Sequence, residues 1–257
     1  YFWVCHDMAP FNGGIPYELH AEMHRLSTFK RFTSFKLSKM LNGMDLTFVF
    51  PSQWLRSQYE QSALHPTYSA ATIPYSCDFD SFAKRSAYQR NPNQLCFVAA
   101  AVNNPRKGFG LLLEALHHVE TPCDVVVIGE SKGLELDETG HHRMHAVGFI
   151  QSQHDIAQTL SQSSLFVIPS VEDNLPNTVL ESLMCGTPVV GYDVGGMPDM
   201  VKPGFSGWLA KATTSTSLAS AIQKGLNSDW NHEEIHRDAC RRFSHDMHVE
   251  NWETVLA

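Results

Sequence analysis

The sequence predicts an α/β protein organised around a parallel sheet, and three observations lead there. From residue 92 onward, short apolar runs alternate with stretches of helical periodicity. The block 165–193 reads as one such unit in full: a buried strand, a polar loop, a short helix and a second strand. The composition, 43% apolar and 18% charged over 257 residues, describes a folded globular chain able to bury a sizeable core.

Taken in order, residues 2–5 form a short apolar strand, with His6 and Asp7 at its carboxyl end and Gly13 and Gly14 making the turn beyond. The stretch 25–40 holds five cations and no acid, with Leu26, Phe29, Phe32 and Phe35 recurring every three residues. Two readings of it stand side by side: a face that lies on an anionic membrane, and a helix packed on protein with its charges in water. Residues 46–50 form a second strand, leading into Pro51-Ser52-Gln53-Trp54-Leu55, which opens a helix. These elements are too few for a complete sheet domain. Residues 76–92 lack periodicity and read as a connection. Strands then follow at 95–102, 124–129, 146–149, 165–169 and 189–193. Helices fill 109–119, 153–161, 177–185 and 217–226, with two more at 233–243 and 247–256. This second part is a doubly wound, Rossmann-type domain.

Composition narrows the function. A net charge of −8 argues against general nucleic-acid binding. Six scattered Cys without a C-x-x-C pair read as free thiols in a reducing compartment. No apolar run reaches the roughly 18 residues of a membrane span. The opening YFWVCHDM lacks an initiator Met and a charged n-region, so it is no secretory signal and reads as the start of a fragment.

The chemistry concentrates in residues 169–196. Asp173 stands in the loop at the strand's carboxyl end, and Glu181 follows eight positions later inside the helix. Asn174 is placed to cap that helix, with Pro176 near its first turn. Val179, Leu180, Leu183 and Met184 give it an apolar face, and Gly186 and Pro188 stop it. In an open parallel sheet, ligands bind at this edge. The N–H groups of Asn177 and Thr178 would face an anion there. On the same edge, residues 103–108 bring Arg106 and Lys107, able to neutralise a diphosphate, and Gly108, which allows close backbone approach. Carboxylates that reach past phosphates can accept hydrogen bonds from sugar hydroxyls. A sugar nucleotide fits this set.

The same residues carry a resemblance. EDNLPNTVLE, followed by GTPVV and a GG turn, is similar to the signature of glycosyltransferase family four, closest to transferases of colanic-acid type. HDMAPFNGG resembles that family's HDMWPFTGG, FVFPSQWL its VxPSxWL, and IPYSCDFDSFA its IPNGxDxxxF. The resemblance implies a GT-B-like fold with two Rossmann-type domains. Residues 1–75 would be the remnant of the acceptor-binding domain, 76–92 the connection, 93–243 the nucleotide-sugar domain and 244–257 a crossover helix. It also implies a retaining transfer from a nucleoside diphosphate sugar to a glycan or lipid-linked acceptor, in surface polysaccharide synthesis. Lys107 would hold the diphosphate, Glu181 the ribose, Asp173 the transferred sugar, and Phe149 and Ile150 the base, while His6 would contact the donor sugar. The family's companion Arg is Ala101 here, which leaves Arg106 to share the phosphate. Asp173 stands where most members carry Glu, shorter by about one C–C bond.

No cofactor and no metal are expected in the chemical step. His232 to His236 spells H-E-x-x-H, but the helix is highly charged and no third ligand follows; His20 and His24 share only the spacing. The expected location is cytoplasmic, extending to the inner membrane surface on the lipid reading of 25–40. Two alternatives remain at this point: a nucleotide-sugar-binding module without turnover, and a GT-B sugar-nucleotide epimerase.

Overall fold

The computed structural model describes residues 1–257 except Gly13, 18–26, Ala63, Pro66, 78–81, 83–88 and 133–139; within 27–34 only the side chain of Thr33 is described. The chain divides into two units, Tyr1–Tyr75 with His248–Ala257, and Ser76–Met247.

In the first unit, β1 (Phe2–Val4), β2 (Thr47–Phe50) and β3 (Ser69–Thr72) form a three-stranded parallel sheet in that order. Parallel strands need crossovers, and α1 (Ser27–Leu41) and α2 (Gln53–Glu60) supply them. Ser52 starts α2 by accepting a hydrogen bond from Leu55 N at 3.0 Å. Leu55 and Tyr59, one turn apart, are then buried against the sheet. The Tyr59 ring lies 5.0 Å from Phe48 and 5.1 Å from Phe50, and its hydroxyl donates to Tyr68 O at 2.9 Å. Phe11 completes this aromatic core. The stripe at 25–40 falls largely outside the described residues, as do His20 and His24; within α1, Phe35 is exposed with Lys39 Nζ 4.7 Å from its ring centre.

In the second unit, the sheet order is β6-β5-β4-β7-β8-β9, parallel throughout. Its strands are β4 (Gln94–Ala101), β5 (Asp124–Glu130), β6 (Arg143–Gly148), β7 (Leu165–Ile168), β8 (Val189–Tyr192) and β9 (Gly207–Ala210). The helices are α3 (Phe109–Leu116), α4 (Gln153–Gln162), α5 (Asn177–Met184), α6 (Met197–Met200), α7 (Ser215–Leu226) and α8 (His232–Phe243); α9 (His245–Leu256) runs on into the first unit's terminal segment. The sheet grows outward from its first strand in both directions, the doubly wound order, and reverses between β4 and β7. Leu112 and Leu116 of α3 and Leu218 and Ile222 of α7 pack with Val125, Val127, Leu165 and Val167. Phe166 and Ile168 alternate to the other face.

Three elements, β3, β9 and α6, are absent from the sequence reading. Residues 203–210 carry Pro203, Gly204 and Gly207 and no predicted element, yet the last four make edge strand β9. The GG turn likewise runs directly into α6.

α5 is fixed firmly at its end. Gly186 N donates to Leu183 O and Thr187 N to Ser182 O, both at 2.9 Å, closing a Schellman motif. From α8, His236 Nδ1 donates to Met184 O at 2.7 Å and His232 Nδ1 to Gly186 O at 2.9 Å. Asp238, two residues beyond His236, is 7% exposed and takes hydrogen bonds from Lys202 at 2.6 Å and Arg242 at 3.2 Å. Arg242 also donates to Met200 O and Asp199 O, holding α6.

Burial pushes the Asp238 carboxyl up, but its hydrogen bonds and charge pairing with Lys202 and Arg242 outweigh that, and the net direction is down. A carboxyl lowered by folding stabilises above its unfolded value, about 3.9, and loses that contribution as pH falls through the folded value. Asp238→Asn is therefore expected to cost about 2 kcal/mol at neutral pH. Denaturant melts at decreasing pH should show the gap to the parent protein closing in acid.

Candidate active site

Three loops leave the carboxyl edge of the second sheet around its reversal point: the loop after β4, the loop after β7 and the turn after β8. The sequence ties them backbone to backbone. Asn104 Oδ1 accepts from Arg106 N at 3.0 Å and starts a single 3₁₀ turn, Pro105–Lys107. Gly108 ends that turn at φ 69°, where a Cβ would stand 1.9 Å from Pro169 O. Only glycine lets the two loops touch there. Val171 N then donates to Arg106 O at 3.0 Å. On the other side, Gly195 at φ 56° abuts Asp173 O, with no room for a Cβ (1.7 Å), and Gly196 N donates to that oxygen at 3.2 Å.

This lacing sets the side chains. Lys107 Nζ donates to Asp173 Oδ2 at 2.7 Å, and Arg106 approaches the same oxygen at 3.2 Å. Arg106 also donates to Glu172 O at 2.8 Å. The Asp173 side chain is 8% exposed against 23% for Lys107 and 18% for Arg106. Two cations converge on one carboxylate, so the cluster keeps positive charge directed at the sheet edge. Of the residues singled out in the sequence, Arg106, Lys107, Gly108 and Asp173 are brought together.

Asn174, Asn177, Thr178 and Glu181 follow on the same loop and helix. Asn174 does not cap α5, contrary to the sequence reading. The cap position is Pro176, with φ −66° and ψ 122°, and it offers no side-chain hydrogen bond. Proline's fixed φ and the extended ψ launch the helix one residue later, and buried Asn174 stands two residues ahead of the cap. The opening N–H groups of Asn177 and Thr178 are those no intrahelical carbonyl serves. Asn177 is exposed and Thr178 half-buried. Glu181 is the fifth residue of α5, half-buried, and burial pushes its carboxyl up to about 7.

Phe149 and Ile150 follow edge strand β6, two strands from β4 and hence about 10 Å along the sheet. Phe149 is 65% exposed, so it is not a core aromatic. His6 belongs to the first unit, after β1, where its Nδ1 lies 2.7 Å from the Tyr75 hydroxyl. Sequence reasoning missed Tyr75, Gly195 and Ser170. The GG doublet was the visible signal for Gly195. Ser170 is 2% exposed and its hydroxyl has no hydrogen-bond partner among the described residues; nothing in the sequence marked it. The Nδ1 atoms of both imidazoles in the H-E-x-x-H run are spent on the main-chain oxygens at the end of α5 described above. Among the described residues no group of three or more His, Cys, Asp or Glu could hold a metal ion, and no helix is long and apolar enough to cross a membrane.

A doubly wound parallel sheet of this kind, together with its structural neighbours, defines an α/β fold of GT-B type. Residues 92–228 match the family model described as glycosyl transferases group 1, and the chain belongs to that family. Over 123 residues it is 31% identical to the N-acetyl-alpha-D-glucosaminyl L-malate synthase of Bacillus anthracis, covering 44% of this chain and 31% of that protein. Over 143 residues it is 29% identical to the amylovoran biosynthesis glycosyltransferase AmsK of Erwinia amylovora, covering 50% of this chain and 35% of that protein. The matches thus span about a third of these relatives. Among solved structures, sucrose-phosphate synthase from Thermosynechococcus elongatus is similar at TM-score 0.72 and 16% identity, covering 99% of this chain and 66% of that one. Anabaena Alr3699/HepE in complex with UDP-glucose is similar at TM-score 0.70 and 18% identity, covering 99% and 71%.

Two outcomes follow from the geometry. Glu181 rises from 4.5 to about 7 on folding, so the folded state holds its proton longer than the unfolded chain and stability falls as pH climbs through that window. Glu181→Gln is expected to stabilise the ligand-free protein at pH 8 by about 2–3 kcal/mol, and hardly at all at pH 4; paired thermal melts at the two pH values read this directly. Gly195→Ala is expected to destabilise the second unit by about 2 kcal/mol, because alanine is strained at this φ and its Cβ meets Asp173 O. Calorimetric unfolding checks it.

Proposed function

We propose that this chain binds a nucleoside diphosphate sugar and transfers the sugar, with retention, to a glycan or lipid-linked acceptor in surface polysaccharide synthesis. One observation carries the reading: the Lys107–Asp173 pair at 2.7 Å sits at the reversal point of a doubly wound sheet. Membership of the family supports it, as do the UDP-glucose held by the Anabaena neighbour and the amylovoran role in the name of the Erwinia relative.

In this reading the diphosphate enters against Lys107, Arg106 and the opening N–H groups of α5, those of Asn177 and Thr178. Lys107 exchanges the Asp173 oxygen for a phosphate oxygen. Asp173 and the backbone near Asn174 then turn to the hydroxyls of the transferred sugar. Glu181 accepts from the ribose hydroxyls, which replace water around a carboxylate that burial makes costly to ionise. Gly108 keeps the backbone close to the phosphates. Exposed Phe149, with Ile150, offers a face for the base. Negative charge grows on the diphosphate as the sugar leaves. Lysine, guanidinium and helix terminus are preorganised donors for that charge, the task a divalent cation performs in other sites. No cofactor takes part, and His6 belongs to the donor sugar by the family resemblance. The reaction is cytoplasmic, in keeping with six free thiols.

Calorimetry with UDP- and GDP-sugars tests the donor site. Lys107→Ala is expected to weaken donor binding about tenfold or more, the value of one charge-assisted hydrogen bond, while Lys224→Ala, on α7, leaves it unchanged. Equal affinities in all three proteins would remove the reading. Product analysis separates transfer from epimerisation, since an epimerase returns a nucleotide sugar without any acceptor. We also propose that 25–40 touches anionic membrane. Flotation with liposomes rich in anionic lipid should carry the chain upward at low salt and release it at high salt.

A further inference from the structure

In the first unit, His6 and Tyr75 meet at the carboxyl end of the sheet. Cys5 N donates to Val49 O at 2.9 Å and Ile73 N to Phe50 O at 2.8 Å, so the segments after β1 and β3 leave the sheet on either side of β2. His6 lies on one segment and Tyr75 on the other. Across the strand end their rings lie 5.7 Å apart and nearly parallel at 28°, and the phenol oxygen is 2.7 Å from His6 Nδ1.

We infer that Tyr75 is a positioning residue: its hydroxyl donates to His6 Nδ1 and holds the imidazole proton on Nε2, which makes His6 a hydrogen-bond donor rather than a base. A phenol is the stronger donor of the two groups and an unprotonated ring nitrogen the stronger acceptor, so the proton belongs to the oxygen side of this contact. Burial, with Tyr17, Asp7 and Cys5 nearby, pushes the phenol up to about 12 and keeps that proton in place. Tyr75 stands where the family's IPNG phrase has Asn.

The position of Tyr75 is itself fixed from the terminal helix. Trp252 Nε1 donates to His248 Nε2 at 3.1 Å, and His248 Nδ1 donates to Pro74 O at 2.7 Å. Trp252 is in turn braced edge-on by Phe2 at 5.9 Å. A second imidazole thus holds the opposite tautomer and anchors the residue before Tyr75. The two rings form a matched pair, one Nε2–H and one Nδ1–H. The catalytic meaning, a donor aimed at the sugar, rests on the proposed transferase reading; the proton's location does not.

Long-range proton–nitrogen correlation spectra of the full chain, labelled with ¹⁵N-histidine, report each ring's tautomer. His6 and His248 are assigned by signals lost in His6→Gln and His248→Gln. The expected result is a single Nε2–H pattern for His6 and Nδ1–H for His248. Tyr75→Phe should then convert His6 to a mixture of tautomers while His142, buried in the second unit and bonded through Nε2 to Leu116 O, keeps its own. If Tyr75→Phe does not fold, fluorotyrosine labelling keeps the ring and acidifies the phenol, and should shift His6 Nδ1. An Nδ1–H pattern for His6 in the parent protein overturns the inference. So does a His6 pattern insensitive to both changes at Tyr75. A donor titration on the same sample that shows no binding would remove the transferase reading and leave the tautomer result standing.

Discussion

Two cations sharing one carboxylate oxygen is the constraint around which the second unit is arranged. Lys107 and Arg106 come from the loop after β4, Asp173 from the loop after β7, and the reversal of strand order sets those loops side by side. A carboxylate this enclosed is costly to keep ionised unless it is paired. The pairing therefore fixes Asp173 and, through Arg106 and Glu172 O, the loop that carries it. An open site with loose loops would have to order them on binding. Here the ordering is already done.

The rest of the unit protects that arrangement. The glycines at 108 and 195 allow contacts that a Cβ would forbid, one on each flank of the acidic loop. Behind it, α5 is gripped at its carboxyl end by the Schellman turn and by imidazoles from α8. Arg242 and Asp238 hold α6, which follows the GG turn. Support of this kind lets a polar site stay rigid while its ligand-facing edge remains open to water.

Much of this was legible in the sequence, because its signals are local. Strand, loop and helix in 165–193 announced themselves by apolar periodicity and punctuation, and the acid-x7-Glu spacing put Asp173 and Glu181 on one edge. Failures came where tertiary geometry decides. Asn174 has the chemistry of a cap, but Pro176 fixes the helix start. The four residues of β9 have no element in the sequence reading, since so short a segment beside Pro203 and Gly204 has little pattern of its own, and pairing with β8 makes them a strand. Whether Phe149 would be buried was not legible either; its place after an edge strand leaves it exposed. The contact of Arg106 with Asp173, 67 positions apart in the chain, has no local signature at all.

The paired imidazoles of α8 have a consequence for reading motifs. His232 and His236 are spaced as zinc ligands are, with glutamates between them, yet each spends its Nδ1 proton on a main-chain oxygen at the end of α5. A pattern of letters that suggests hydrolytic metallochemistry serves here as a clasp between two helices. The clasp uses the Nδ1 atoms alone, and among the described residues no group of three or more His, Cys, Asp or Glu gathers there to hold a cation. Spacing alone cannot separate a ligand from a fastener; the side chains gathered around the pair can.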